Sequence, residues 1–316
     1  MGRIKLQTAE KALARLAEEL RTKIAGEVRV AESLAKHTSY QVGGAADFYV
    51  IPSSMEEVVE VLKFARRQAL PLFTIGRGTN LLVSDAGFRG IVLDLCRVCK
   101  RLERDGQRIF AGAAVLLRDL IKYSVSQGLG GLEKLAGIPG TVGGALHMNA
   151  GAFGTEISDC LCEVELMDFS GRIFRRRKEE IPFGYRLGMT EPETIILGAE
   201  FLLEPADTTR LQTIVEEVLA QRKQKQPLTR RSAGSVFKRP QGHYAGALIE
   251  ACGCKNLKVG GAMVSRKHSN FIINRGNASA KDIFDLIQIV QQRVWEKFKV
   301  RLELELELVG WETIDH

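Results

Sequence analysis

Long apolar runs, low-complexity tracts and internal repeats are all missing from this 316-residue chain. No stretch approaches the ~20 consecutive apolar residues that a membrane-crossing helix needs. Met1 to Leu20 mixes charge with Ala and Leu at helical spacing and has no signal-peptide core, so a cytoplasmic protein is expected. Aromatics make up only 7% of the residues, and no nucleic-acid-binding motif is present. The net charge of +7 gathers at Arg175-Arg176-Arg177-Lys178, Arg222-Lys223-Gln224-Lys225 and Arg230-Arg231. Clusters this short read as solvated surface with some attraction for small anions such as nucleotides, not as a nucleic-acid interface or a membrane surface. The six cysteines come as Cys96/Cys99, Cys160/Cys162 and Cys252/Cys254. Only the first pair has zinc-ribbon spacing and nothing completes four ligands, so no metal is expected; disulfides do not suit a cytosolic chain.

What is present is an ordinary globular composition, 45% hydrophobic and 26% charged, long enough for more than one domain. Ser53-Ser54-Met55-Glu56 reads as a capping box before a helix with Val58, Val59, Leu62 and Ala65 on one face. Strands are expected at Leu72 to Ile75 and, after a turn at Gly87–Gly90, at Ile91 to Leu95. A helix should span Leu116 to Ser126. Val164 to Phe169 and Ile173 to Arg175 flank a Ser170-Gly171 hairpin turn, and Thr194 to Leu203 is a further strand. Beyond a boundary at Pro205-Ala206-Asp207 lie helices starting near Leu211, at Tyr244 to Ala251 and at Lys281 to Phe298. Strands follow near Asn270 to Asn274 and at Arg301 to Val309. In the last of these, Leu302, Leu304, Leu306 and Leu308 alternate with Glu303, Glu305 and Glu307, the period of a half-buried strand with an acidic outer face. The whole reads as α+β.

Glycine is the most informative residue. Gly128 to Gly154 holds nine glycines, with Gly137-Ile138-Pro139-Gly140-Thr141-Val142-Gly143-Gly144 at the centre. Clustered glycine is unfavourable unless the chain turns sharply or approaches something closely, and bare N–H groups in such turns can cradle phosphate. A second segment, Ile75-Gly76-Arg77-Gly78-Thr79-Asn80, imitates a dinucleotide fingerprint, with Asp94 near the distance of a ribose-binding acid. Leu81 occupies the third glycine position and no room remains for the crossover helix, so a tight turn of another kind is expected.

Six motifs occur in order. They are Tyr40-Gln41-Val42-Gly43-Gly44, Gly76 to Val83, Gly137 to Gly144, Met148 to Gly154, Phe183-Gly184-Tyr185-Arg186, and Ala233-Gly234-Ser235-Val236-Phe237-Lys238. Together they resemble the UDP-N-acetylenolpyruvoylglucosamine reductase family from about Ala35 to Gly310. The short separation of Arg186 from Lys225 is similar to the form of that family lacking an inserted tyrosine loop. The resemblance implies a vanillyl-alcohol-oxidase-type (PCMH) FAD module of two α+β subdomains, 35–95 and 96–207. These would follow an N-terminal helix (1–34) and precede an α+β substrate-binding domain (208–316).

It also implies non-covalent FAD held by Gly76, Arg77, Gly78, Thr79, Asn80 and Leu81 and by Ile138, Pro139, Gly140, Thr141, Gly144, Asn149 and Gly151. NADPH would reduce the flavin, leave, and be replaced by the UDP-linked enolpyruvyl sugar. Ser235 is similar to the family's proton donor, and Arg186 and Glu305 to its enolate-stabilising pair. Lys225, with Lys223 as competitor, and Tyr185 and Arg239 would contact substrate. Read without the family, Ser235 is a loop serine, Arg186 a surface cation and Glu305 one of three strand glutamates. Gly188 and Met189 depart from the family's Ser and aliphatic residue, and Arg239 stands where some members have Asn. No obligate protein partner is implied. Two rival readings are a related FAD oxidase, which often tethers flavin through His or Cys, and a non-catalytic nucleotide-binding protein. Neither His nor Cys occurs between Gly76 and Gly90.

Overall fold

The computed structural model describes residues 2–311, with side chains from residue 11 onward. The chain divides into two units that each draw on separated stretches. Unit 1 takes the chain up to Glu32, Ala46–Gly76 and Arg89–Val218, while unit 2 takes Ser33–Ala45, Arg77–Phe88 and the chain from Leu219 onward.

Unit 1 has two hydrophobic clusters, each built on a sheet. The first sheet orders its strands as Glu27–Ser33, Ala45–Ile51, Phe88–Asp94 and Leu72–Ile75, the last two parallel. Helices α1 (Gly2–Arg21) and α2 (Met55–Arg67) bury Ala17, Leu20, Val58, Val61, Leu62, Phe64 and Ala65 in its cluster. The helical spacing near the N-terminus is therefore α1, but the segment expected to be helical up to residue 34 turns to strand at Glu27. The start of α2 falls one residue later than the capping box predicts. Ser54 is the N-cap, its hydroxyl accepting the Glu57 N–H, while Glu57 accepts the N–H groups of Ser53, Ala25 and Gly26 at 2.7, 2.9 and 3.1 Å. Gly87 and Gly90 do not form one turn, because the strand already begins at Phe88.

The second sheet is antiparallel, ordered Ile173–Arg177, Leu161–Asp168, Thr194–Leu202, Arg108–Gly112 and Leu102–Asp105. Its cluster is completed by α3 (Leu117–Ser126), α4 (Val142–His147) and Leu211 of α5 (Thr208–Lys225). The Ser170-Gly171 turn is present, with Gly171 at φ +90° and Val59 Cγ1 2.8 Å from where a Cβ would stand. Half of the basic run here is ion-paired: Arg175 pairs with Glu163 and Glu165, and Arg176 with Glu191.

In unit 2, α6 (Ala245–Ala251) and α7 (Ala280–Phe298) share a cluster with an antiparallel sheet of Lys258–Val259, Ala262–Val264 and Ile272–Asn274. A true capping box starts α7: the Ser279 hydroxyl accepts the Asp282 N–H at 3.0 Å, and Asp282 accepts the Ser279 N–H at 3.1 Å. The leucine–glutamate repeat is not one strand. Leu304 forms an isolated antiparallel bridge with Phe237, and only Glu307–Val309 is a strand, parallel to Leu81–Val83. Leu302 and Leu306 are buried, but Glu305 and Glu307 are half-buried, so the outer face is not uniformly solvated.

All six cysteines are free. Burial pushes the Cys96, Cys99 and Cys160 thiols up to about 11, 12 and 11, so these stay protonated at neutral pH. Among the described residues no His, Cys, Asp and Glu cluster could hold a metal, and no helix is long and apolar enough to cross a membrane.

Candidate functional site

In unit 1 the glycine-rich stretch runs into the six-residue helix α4. Gly137 and Gly140 lie at φ +79° and +135°, and the Gly140 carbonyl accepts the Leu117 N–H at 3.1 Å. Thr141 caps α4, its hydroxyl accepting the Gly144 N–H at 3.3 Å. Val142 and Gly143 donate to the carbonyls of Val115 and Ala113 at 2.8 and 2.9 Å, stitching the stretch to the chain before α3. The first glycine segment meets the second here. A Cβ on Gly76 would stand 2.6 Å from Thr141 Oγ1, so only glycine permits the approach. Gly76, Pro139 and Gly144 are exposed while Thr141 is buried beneath them. This bare, rigid backbone with few side chains in the way is the kind of surface against which phosphate and ribityl groups pack, and it fits FAD.

Asn149 is fully buried at φ +43°, and its side chain is committed inside the protein. Its Nδ2 donates to Glu156 Oε2 at 2.7 Å and to the Gly184 carbonyl at 3.0 Å, and its Oδ1 accepts the Ser158 N–H at 3.4 Å. It thereby ties the glycine stretch to the turn carrying Tyr185 and Arg186. Reciprocal hydrogen bonds between Gly184 and Leu187, 2.9 and 3.0 Å, close that turn. Arg186 sits at φ +55°, donates from Nη2 to the Gly151 carbonyl at 3.0 Å and lies 5.0 Å from the Tyr185 ring centroid. Gly188 supports this arrangement: a Cβ there would stand 1.9 Å from the Leu146 carbonyl oxygen, which also accepts the Met189 N–H at 3.0 Å. Gly188 and the Met189 N–H therefore dock the Arg186 turn onto the end of α4.

Unit 2 holds the remaining predicted residues. No helix follows Gly76-Arg77-Gly78; the chain enters a strand at Leu81. Gly78, at φ +56°, accepts the Ser39 N–H at 3.0 Å, and a Cβ on it would stand 2.0 Å from the His37 carbonyl oxygen. Thr79 is half-buried. Asn80 donates from Nδ2 to the Glu305 carbonyl at 2.9 Å, and its own carbonyl accepts the Glu307 N–H at 2.9 Å. On the other side, Glu305 N–H donates to the Val236 carbonyl at 2.8 Å and Lys238 N–H to the Glu303 carbonyl at 2.9 Å. The backbone thus changes ladder partner at Glu305, from the Val236–Lys238 segment to the Asn80–Val83 segment. Ser235, half-buried, directly precedes Val236. Ser235 and Glu305 are brought onto adjacent backbones, and of the three glutamates Glu305 is the one at the crossover.

Lys225 is exposed at the end of α5, as is Lys223, whose carbonyl accepts from Lys267 Nζ. Arg239 stacks on Tyr244, 4.0 Å from guanidinium carbon to ring centroid, and Tyr244 is 65% exposed. In sequence Tyr244 marks only a helix start, and no local signal makes it the partner of Arg239. Asn270, buried, bonds both backbone groups of Phe237, two residues beyond Ser235. Its signal is a polar residue at the head of the apolar run Phe271-Ile272-Ile273.

Residues 46–176 match the FAD binding domain family, and residues 226–309 match the family described as UDP-N-acetylenolpyruvoylglucosamine reductase, C-terminal domain. With the glycine cradle, these define an FAD-dependent oxidoreductase of α+β fold: an FAD-binding module followed by a C-terminal α+β domain. The UDP-N-acetylenolpyruvoylglucosamine reductase of Clostridium tetani is 43% identical over 91% of this chain and 94% of its own length. That of Listeria welshimeri is 42% identical over 90% and 95%. The crystal structure of the Thermus caldophilus enzyme superposes with a TM-score of 0.78 at 36% identity, covering 90% of this chain and all of that one. The chain belongs to the UDP-N-acetylenolpyruvoylglucosamine reductase family.

Proposed function

We propose that this enzyme reduces UDP-N-acetylenolpyruvoylglucosamine to UDP-N-acetylmuramate with NADPH, a cytoplasmic step towards peptidoglycan. The observation that carries the assignment of roles is the 2.8 Å hydrogen bond from Glu305 N–H to the Val236 carbonyl. It joins the two backbone segments that carry the expected proton donor and the expected carboxylate, which supports the reading in a chain of this family.

FAD, when bound, supplies the hydride that NADPH provides. Gly76, Arg77, Gly78, Thr79, Asn80, Leu81, Ile138, Pro139, Gly140, Thr141, Gly144, Asn149 and Gly151 are proposed to hold it. The residues 35–95 and 96–207 are read as its two subdomains and 208–316 as the substrate domain. In the chemistry assigned to the side chains, addition of hydride to the vinyl carbon leaves negative charge on the adjacent carbon, delocalised into the substrate carboxylate. The Arg186 guanidinium offsets that charge, and Glu305 completes the polar surround that orients the enolate. Ser235 Oγ then delivers the proton, acting as general acid. Lys225, Tyr185 and Arg239 contact the UDP-sugar. Tyr185 and Arg239 already carry stacked or adjacent ring–guanidinium pairs, which favour planar, anionic ligands.

Ser235→Ala tests the reading. NADPH should still bleach the flavin at close to the wild-type rate, while re-oxidation by the enolpyruvyl substrate slows by about 10²–10⁴-fold. Normal turnover would remove Ser235 from the mechanism.

A further inference from the structure

Upstream of Ser235, Ala233 is buried and Arg231 bridges Asn274, with Gly234 between that anchor and the serine. Gly234 turns through φ +80°, and nothing lies within 4 Å of where its Cβ would be. Downstream, every backbone polar group of the next two residues is claimed, by only two partners. Val236 N–H donates to the Asn270 carbonyl at 2.9 Å, and the Val236 carbonyl accepts Glu305 N–H at 2.8 Å. Phe237 N–H donates to Asn270 Oδ1 at 3.0 Å, and Asn270 Nδ2 donates to the Phe237 carbonyl at 2.8 Å. Asn270 is itself 8% exposed, and its N–H donates to His268 Nδ1 at 3.3 Å.

A carboxamide that both accepts from the N–H and donates to the C=O of one residue imitates the neighbouring strand of an antiparallel ladder. Asn270 supplies that imitation where the sheet itself has ended, since its strand starts only at Ile272. Buried polar groups satisfied in this reciprocal way resist displacement, because breaking one bond strands its partner away from water. Ser235 thus stands between an uncrowded left-handed glycine and this clamp, so the nearer constraint on its hydroxyl comes from the Asn270 side.

We propose that Asn270 is a positioning residue for proton transfer, acting on the reaction only through the placement of Ser235. The inference rests on the reading of Ser235 as proton donor. Displacement of a reacting group by about an ångström costs up to ~10²-fold in rate, which bounds the effect.

The test uses flavin-loaded enzyme and follows the two half-reactions separately by flavin absorbance. Asn270→Ala should leave reduction by NADPH within about twofold of wild type and slow re-oxidation by UDP-N-acetylenolpyruvoylglucosamine by about 10–100-fold. In a Ser235→Ala background the same change should add almost nothing, because the group being positioned is gone. Asn270→Asp keeps the acceptor for Phe237 N–H and should recover part of the rate. It carries the test if the alanine variant loses flavin or cooperative unfolding. Equal slowing of both half-reactions, or multiplication of the two substitutions' effects, would overturn the proposal. If Ser235→Ala alone re-oxidises normally, the proton-donor reading fails first, and the positioning role falls with it.

Discussion

At the residue scale, the glycines of the two motif segments differ in what they do. Gly76 is required by contact, because Thr141 Oγ1 occupies the space a side chain would take. Gly78 is required twice over, by a left-handed backbone and by the His37 carbonyl oxygen 2.0 Å from its absent Cβ. An alanine there cannot relieve both conflicts without moving the turn that leads into Asn80 and Leu81. Gly78→Ala should therefore cost about 1–3 kcal/mol, seen as a lower thermal unfolding midpoint, and should weaken flavin retention on gel filtration. An unchanged midpoint with full flavin content would show that the turn has slack. Asparagines also act in opposite ways. Asn80 and Asn270 organise the Ser235–Glu305 neighbourhood, whereas the Asn149 amide is spent holding Glu156 and Gly184. Any contact of Asn149 with flavin would run through its backbone.

At the element scale, what could be read from the sequence and what could not divide along one line. Helices with an apolar stripe, α2, α3 and α7, were legible because their period is local. So was the Ser170-Gly171 hairpin. The leucine–glutamate repeat misled in an instructive way. Its period of two is real, but the backbone changes partner at Glu305, and no local pattern reports which distant segment a strand will meet. The Asn270 and Asn149 clamps were invisible for the same reason, since each joins a side chain to backbone far along the chain. The capping of α7 is local and readily tested. Asp282 accepts N–H groups from Gly261 and Ser279, and the Gly261 bond is the chief reason its carboxyl lies below its ordinary value of 3.8. A carboxyl depressed on folding contributes stability above its unfolded-state pKa, and that contribution disappears as pH falls through the folded-state value. Asp282→Ala should cost about 1 kcal/mol near neutral pH. The gap from wild type in urea unfolding should narrow as pH falls from about 6 to about 2.5. A gap independent of pH would mean the loss comes from packing instead of the charged cap.

At the scale of the whole molecule, each unit carries part of the predicted machinery. Unit 1 holds the glycine cradle and Arg186, while unit 2 holds Arg77–Leu81, Ser235 and Glu305. The interleaving of chain segments between units was not legible, because no Gly/Ser-rich or Pro-rich linker marks the crossings at Ser33, Ala45, Gly76, Phe88 and Val218. The order of six motifs was legible, and it is what the family membership bears out. A single anaerobic experiment tests the reaction directly. The purified protein should be yellow and release its flavin on denaturation. NADPH should bleach it without oxygen, and UDP-N-acetylenolpyruvoylglucosamine should then restore the oxidised spectrum stoichiometrically. A flavin that NADPH reduces but only oxygen re-oxidises would contradict the account.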